Sequence, residues 1–312
     1  MYQRYNIVVS GVLMVGLLAG CFSNDELSEQ PRDEDPERTV EERYGALSAE
    51  FVYPRSGVDH GVEVQAQFLD VRGVAVEPAM EALEVWMPRR GLEMDTCIID
   101  DGADVSSDRY QPVSLHLLDL GDIAVSSPDE RVILEPRRLP DLLSSFYGVV
   151  YGSEWSDLAS DNFVEYYPGA TYRFTAPGTV EAGTFDVSLQ APEPIVLLAA
   201  DGDEIRDRTS YSTVDNQPLE LVWETDGALW GAEEVFIDLF AGYGPDQARI
   251  QCRTRDHGAF SIPSSKLREL SRTSDEVDLQ LRRVRRSEAS IRGLDEVDFY
   301  FSTTDGIELH FR

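Results

Sequence analysis

Lysine is all but missing from this chain. Lys266 is the single lysine among 27 basic residues. That bias says more about the host's genome than about function. The four histidines, His60, His116, His257 and His310, are scattered, and neither Cys97 nor Cys252 has a second Cys or a His at ligand spacing. A zinc site is therefore not expected. No Gly-x-Ser-x-Gly elbow, His-Glu-x-x-His pair or phosphate loop occurs, so the common hydrolase, metalloprotease and nucleotide signatures are missing and no cofactor is expected. Long apolar runs are also lacking. The N-terminal one, Ile7–Gly20, would be roughly 21 Å long as a helix, short of the ~30 Å hydrocarbon core.

Acid is what the chain has in excess. The net charge of −31 makes it a polyanion that should neither bind nucleic acid through its field nor approach anionic membrane surfaces. At the N-terminus, Arg4 precedes the apolar run, which ends in small residues, the layout of a secretory signal. Leu18-Ala19-Gly20-Cys21 resembles the lipobox of bacterial lipoproteins. The resemblance implies that residues 1–20 are a signal peptide cleaved before Cys21. It also implies diacylglycerol on the Cys21 thiol and acylation of the new amino terminus. Such a multiply acylated cysteine would be a firm membrane anchor. Phe22, rather than Asp, follows the cysteine, which in the lipoprotein pattern implies the outer rather than the inner membrane of the cell envelope. Residues 21–45 then read as the lipidated cysteine and an acidic flexible tether, with too little apolar surface to offset the entropy of ordering.

From residue 48 onward, period-two alternation recurs between Gly, Pro and Asp turns. In GVEVQAQFLDV, Val62, Val64, Ala66 and Phe68 share one face. ALEVWMP, PVSLHLLDLGDIAVSS and ATYRFTAPGTVEAGTFDVSL read as further strands and hairpins, and SSKLRELS as a turn or two of helix. APEPIVLLAADGDE looks like a junction. The expectation is an all-β chain with two consecutive β-sandwich, immunoglobulin-like domains, residues 46–193 and 194–312. ARIQCRTRDHGAFSIPSSKLREL, the strand at LQLRRVRR, and the upstream LLDLGDIAV and YPGATYRFTAPG are similar to segments of uncharacterised lipoproteins from myxobacteria and their relatives. That resemblance implies fold and address and carries no activity.

Candidate sites remain. With Cys21 lipidated, Cys97 and Cys252 are left either as a disulfide or as two separate buried thiols. No sequence signal demands an extensive domain interface, which favours the separate thiols. The segment from Phe146 to Tyr172 is dense in aromatics, and Tyr151, Trp155, Tyr166 and Tyr167 are candidates for stacking on sugars, unless these rings cover the core. Asp100, Asp101 and Asp104 are weak calcium ligands in a loop that does not match an EF-hand. Asp59-His60-Gly61 and Asp256-His257-Gly258 read as tight turns. Arg282, Arg283, Arg285 and Arg286 lie on alternating faces of one strand and are expected to pair with acidic neighbours.

The reading that follows is a lipid-anchored envelope protein acting as a non-enzymatic structural or binding module. Its partners would be the membrane, through Cys21, and envelope glycans or other envelope proteins. The alternative is a carbohydrate-binding or glycan-active protein using residues 146–172.

Overall fold

The structure is a computed structural model. It describes residues 41–55, 61–72, 86–89, 91–100, 114–138, 146–153, 164–226, 233–242 and 247–312. Nineteen strands and one helix are described. The first strands are β1 (Glu41–Val52), β2 (Val62–Arg72), β3 (Thr96–Asp100), β4 (Ser114–Leu117) and β5 (Ile123–Ser126). Next come β6 (Arg131–Leu134), β7 (Arg137–Arg138), β8 (Phe146–Gly152), β9 (Thr171–Ala176) and β10 (Phe185–Gln190). Then follow β11 (Leu197–Ala200), β12 (Asp203–Glu204), β13 (Ser210–Thr213), β14 (Leu219–Trp223) and β15 (Glu234–Ala241). The last are β16 (Ala248–Arg255), β17 (Ala259–Ile262), helix α1 (Ser264–Leu270), β18 (Glu276–Glu288) and β19 (Glu296–Phe311).

Eleven strands form one sheet in the order β3-β16-β15-β18-β19-β1-β2-β4-β8-β7, with β13 also paired to β19. The two smaller sheets are β10-β9-β5-β6 and β12-β11-β14-β17. The arrangement is sandwich-like and almost entirely β. Along β19, alternate side chains reach one face. Val297, Phe299 and Phe301 enter a first core with Phe68 of β2 and with Phe174 and Phe185 of the β10-β9-β5-β6 sheet. Ile307 and Leu309 enter a second core with Leu221 and Trp223 of β14 and Leu267 and Leu270 of α1. These β19 residues share one parity, so both small sheets cover the same face of the long sheet. Each large apolar side chain buried there is worth roughly 1.5–3 kcal/mol.

The chain crosses from the first core to the second between Ala191 and Ile195, close to the boundary expected near residue 193. The long sheet nevertheless runs through both cores. β1, β2 and β4 come from before that point and β15, β16, β18 and β19 from after it, so the division into two consecutive sandwiches does not describe the sheet topology. The physical reason is the length of β18 and β19, which outreach either small sheet. The N-terminal boundary also moves. β1 begins at Glu41 and Tyr44 is fully buried, so the end of the expected tether is a paired strand.

The helix at Ser264–Leu270 stands where SSKLRELS predicts it, with Pro263 in the N-cap position and no side-chain cap. Trp86 in ALEVWMP, expected in a strand, lies in a segment without strand pairing. From there it packs with Met87 and Leu92 on the opposite face of the long sheet, over Phe236, Val284 and Tyr300.

Candidate functional site

β1 and β2 pair in a register that sets Ser48 opposite Gln65 and Glu50 opposite Glu63. Their alternate neighbours Ala49, Val64 and Ala66 enter the first core, which turns these four polar residues to the other face. There, with Trp86, they line a pocket of about 50 Å³. That is room for a few water-sized groups.

The pocket's wall is fixed by charge. Arg282 of β18 lies with its guanidinium 4.6 Å from the Trp86 ring centre. Its Nη1 meets Glu50 Oε1 at 2.5 Å, and Thr304 donates a hydrogen bond to the same oxygen at 2.5 Å. Trp86 is held on its other sides too. Phe236 and Tyr300 meet it edge-on at 5.3 Å and 5.8 Å, and its indole N–H donates to Asp238 Oδ2 at 3.0 Å. Asp238 is fully buried and also accepts from Arg249 and Gln251. Burial works against its charge, but Arg249, Arg282 and the indole N–H outweigh it and hold the carboxyl below its usual range. Three buried atoms beside this wall lack hydrogen-bond partners among the described residues: Arg282 Nε, Arg282 Nη1, whose contact with Glu50 is an ion pair, and Ser302 Oγ. Ser302 pairs with Glu50 in the β1–β19 register and shares its face. The pocket thus offers carboxylate, amide and hydroxyl groups beside a clamped indole, which is the equipment for recognising a polar ligand.

The structure distributes the residues singled out from the sequence elsewhere. Tyr151 is fully buried, accepts from the Leu120 N–H at 2.8 Å and lies edge-on to Phe68. Its ring is not available to a glycan, because the first core encloses it. Tyr166 stacks on Phe51 with centroids 3.9 Å apart and donates to the Pro192 carbonyl, so one of its faces is taken by protein. Tyr167 is half-exposed and donates to Glu165 at 2.7 Å. Burial raises the hydroxyl pKa of Tyr151 and Tyr166, and Tyr172 beside them rises to about 12 for the same reason. Trp155, Cys21, Asp101 and Asp104 lie outside the described residues. Asp100 ends β3, its backbone paired with Arg249.

Cys97 and Cys252 are joined in a disulfide between neighbouring strands β3 and β16. The expectation of separate thiols assumed separate domains. The shared sheet removes that premise by placing β3 directly beside β16. Asp256-His257-Gly258 is a turn with Gly258 at φ +84°, yet Asp256 is also fully buried and bound to Arg283. Of the arginine stripe, Arg286 pairs with Asp298 on adjacent β19, whereas Arg283 and Arg285 meet Glu233, which precedes β15. Burial raises the Glu233 carboxyl pKa, with Arg285 and Arg283 pulling the other way.

The pocket residues were not singled out from the sequence. Ser48, Glu50, Glu63 and Gln65 alternate with apolar residues as any solvent-facing pair of strands would. A second cluster, also not singled out, brings ligand atoms of Glu276, Glu308 and His310 within 4.8 Å of one another on exposed or half-buried positions. Comparison with protein-family models and with curated proteins finds no match to this chain.

Proposed function

We propose that this chain is a lipid-anchored protein of the cell envelope, held by acylated Cys21 and serving as a non-enzymatic binding module. The observation that carries this reading is the Cys97–Cys252 disulfide. Structural disulfides persist in oxidising compartments and are rare in the cytosol. A chain that needs this bond fits export, and the Leu18-Ala19-Gly20-Cys21 pattern supplies an export route with an anchor at its end. The acidic stretch after Cys21 suits a spacer that keeps the body off an anionic membrane. Phe22 after the cysteine favours the outer membrane.

The binding role is supported by the way charge is used around the pocket. Glu50, which lines the pocket, is held by Arg282 and Thr304, and the buried Asp238 behind it fixes the Trp86 indole, an arrangement that presents an oriented carboxylate beside a fixed ring. The carbohydrate reading based on residues 146–172 is weakened because Tyr151 and Tyr166 serve the first core.

Replacement of Cys21 by Ser tests the anchor. The wild type should incorporate labelled fatty acid and sediment with membranes, and Cys21→Ser should do neither. Unlabelled wild type, or a variant that still sediments with membranes, would reject the anchor.

A further inference from the structure

The pocket bounded by Trp86, Glu50, Glu63, Gln65 and Ser48 has the composition of a site for a neutral polyhydroxylated group, and we propose that it binds one arm of a sugar. The inference names a ligand class for the binding module proposed above, and it rests on that binding role but not on lipidation.

Three observations carry it. The first is the clamped indole. Trp86 is held by Arg282 over its ring, by Asp238 at its N–H and by Phe236 and Tyr300 at its edges. An aromatic ring fixed from several sides loses little freedom when a ligand settles on it, which is the condition for an anchor.

The second is the pattern of acceptors. Glu50 meets Arg282 as an ion pair and accepts from Thr304 on the same Oε1, so its orientation is set, while the carboxylate has further lone pairs. Glu63 lies opposite it in the β1–β2 register, with Cβ atoms about 5 Å apart by strand geometry. Two carboxylates at that spacing can accept from neighbouring hydroxyls of one carbon chain, and Gln65 and Ser48 add an amide and a hydroxyl. Hydroxyl-to-carboxylate bonds are charge-assisted and therefore stronger than neutral ones.

The third is a pair of unsatisfied groups in the wall. Arg282 is 3% exposed with Nε lacking a hydrogen-bond partner, and Ser302 is 0% exposed with Oγ likewise lacking one. Buried polar groups without partners are costly and uncommon. These two groups lie behind the lining, and a ligand hydroxyl, which both donates and accepts, would meet the Glu50 carboxylate, the Gln65 amide and the Ser48 hydroxyl that line the pocket. The volume of about 50 Å³ admits a hydroxymethyl or diol arm, and the ring would remain outside against Trp86.

The test is calorimetric titration of the full chain with a panel of methyl glycosides, in wild type, Glu63→Gln, Trp86→Ala and Tyr167→Ala. Far-ultraviolet circular dichroism verifies that each variant is folded. At least one glycoside should bind the wild type saturably at one site. Glu63→Gln should weaken it about tenfold, the loss of one charge-assisted hydrogen bond. Trp86→Ala should weaken it further and Tyr167→Ala should leave it unchanged. Because Glu63 is only half-buried, its variant keeps the test decisive if Trp86→Ala fails to fold. Absence of saturable binding to any glycoside overturns the proposal. So does binding that survives Glu63→Gln at wild-type strength, or binding lost in Tyr167→Ala. None of these outcomes bears on fatty-acid labelling at Cys21, so the anchor and the pocket stand or fall separately.

Discussion

Arg283 Nη2 meets Asp256 Oδ2 at 2.9 Å, with 1% of one side chain and none of the other exposed to solvent. The pair lies between the two cores. Arg283 also donates to the carbonyls of Glu193, Pro194 and Glu224, while Asp256 accepts from the Trp223 indole and the Asp226 amide. One ion pair therefore ties the crossover at Glu193–Pro194 to the loop after β14 and the turn after β16.

Breaking that pair from one side should be severe. Arg283→Met leaves the buried Asp256 without its cation, at a cost of about 3–5 kcal/mol, and Asp256→Asn should cost less because Arg283 still faces Glu233 at 3.4 Å. Urea unfolding should show a lower midpoint with little change in slope. A loss below about 1 kcal/mol would mean that water reaches the pair, contrary to its burial.

Asp238 sets an acid limit. Its folded pKa is held below the unfolded value of about 3.9, so the stability it contributes is full above that pH and falls away as pH drops through the lower, folded value. Chemical unfolding of wild type and Asp238→Asn should therefore show a constant gap from neutral pH down to about 5, closing in more acidic buffers. A gap that widens on acidification would contradict the assignment.

Reduction of the Cys97–Cys252 bond should destabilise the chain. The cysteines are separated by 155 residues, and closing so long a loop is worth roughly 4–5 kcal/mol on the chain-entropy model. Non-reducing peptide mapping should recover Cys97 and Cys252 in one cross-linked fragment, and thermal melting should fall after reduction. Recovery of both as free thiols from unreduced protein would refute the bond.

Tyr151 should behave as a structural residue. Its hydroxyl satisfies the buried Leu120 amide and reaches Asp119 at 3.2 Å, so Tyr151→Phe should cost about 1–3 kcal/mol of stability. It should leave glycoside titrations as they are in the wild type. A change in binding with unchanged melting would move Tyr151 back among the ligand-contacting residues.

Local alternation was the legible part of this chain. Val62, Val64, Ala66 and Phe68 were placed on one face by spacing alone, and all four are buried in the first core. The parity of the stripe also separated Arg283 from Arg282 correctly, since the first lies between the two cores and the second beside the pocket. Parity could not reveal that Arg283 is enclosed, because its partners Asp256, Glu193 and Glu224 come from distant loops. The shared sheet was hidden for the same reason. Strand pairing between β3 and β16, or β1 and β19, leaves no trace in a period-two pattern. Trp86 shows the opposite error. It was assigned to a strand by its apolar neighbours, whereas its place is decided by Arg282 and Asp238.

The parallel pairing of β1 with β19 also governs the order in which this molecule can be made. Arg43 donates its backbone N–H to Asp295, 252 residues further along, and β19 supplies aromatic residues to the first core and aliphatic ones to the second. A growing chain that has reached Ala200 holds every strand of the β10-β9-β5-β6 sheet and the β1 and β2 side of the first core, yet lacks Val297, Phe299 and Phe301 of β19, which complete that core. The strand made last is thus the one that closes both cores, and a chain cut before Glu296 would leave each of them unfinished at once.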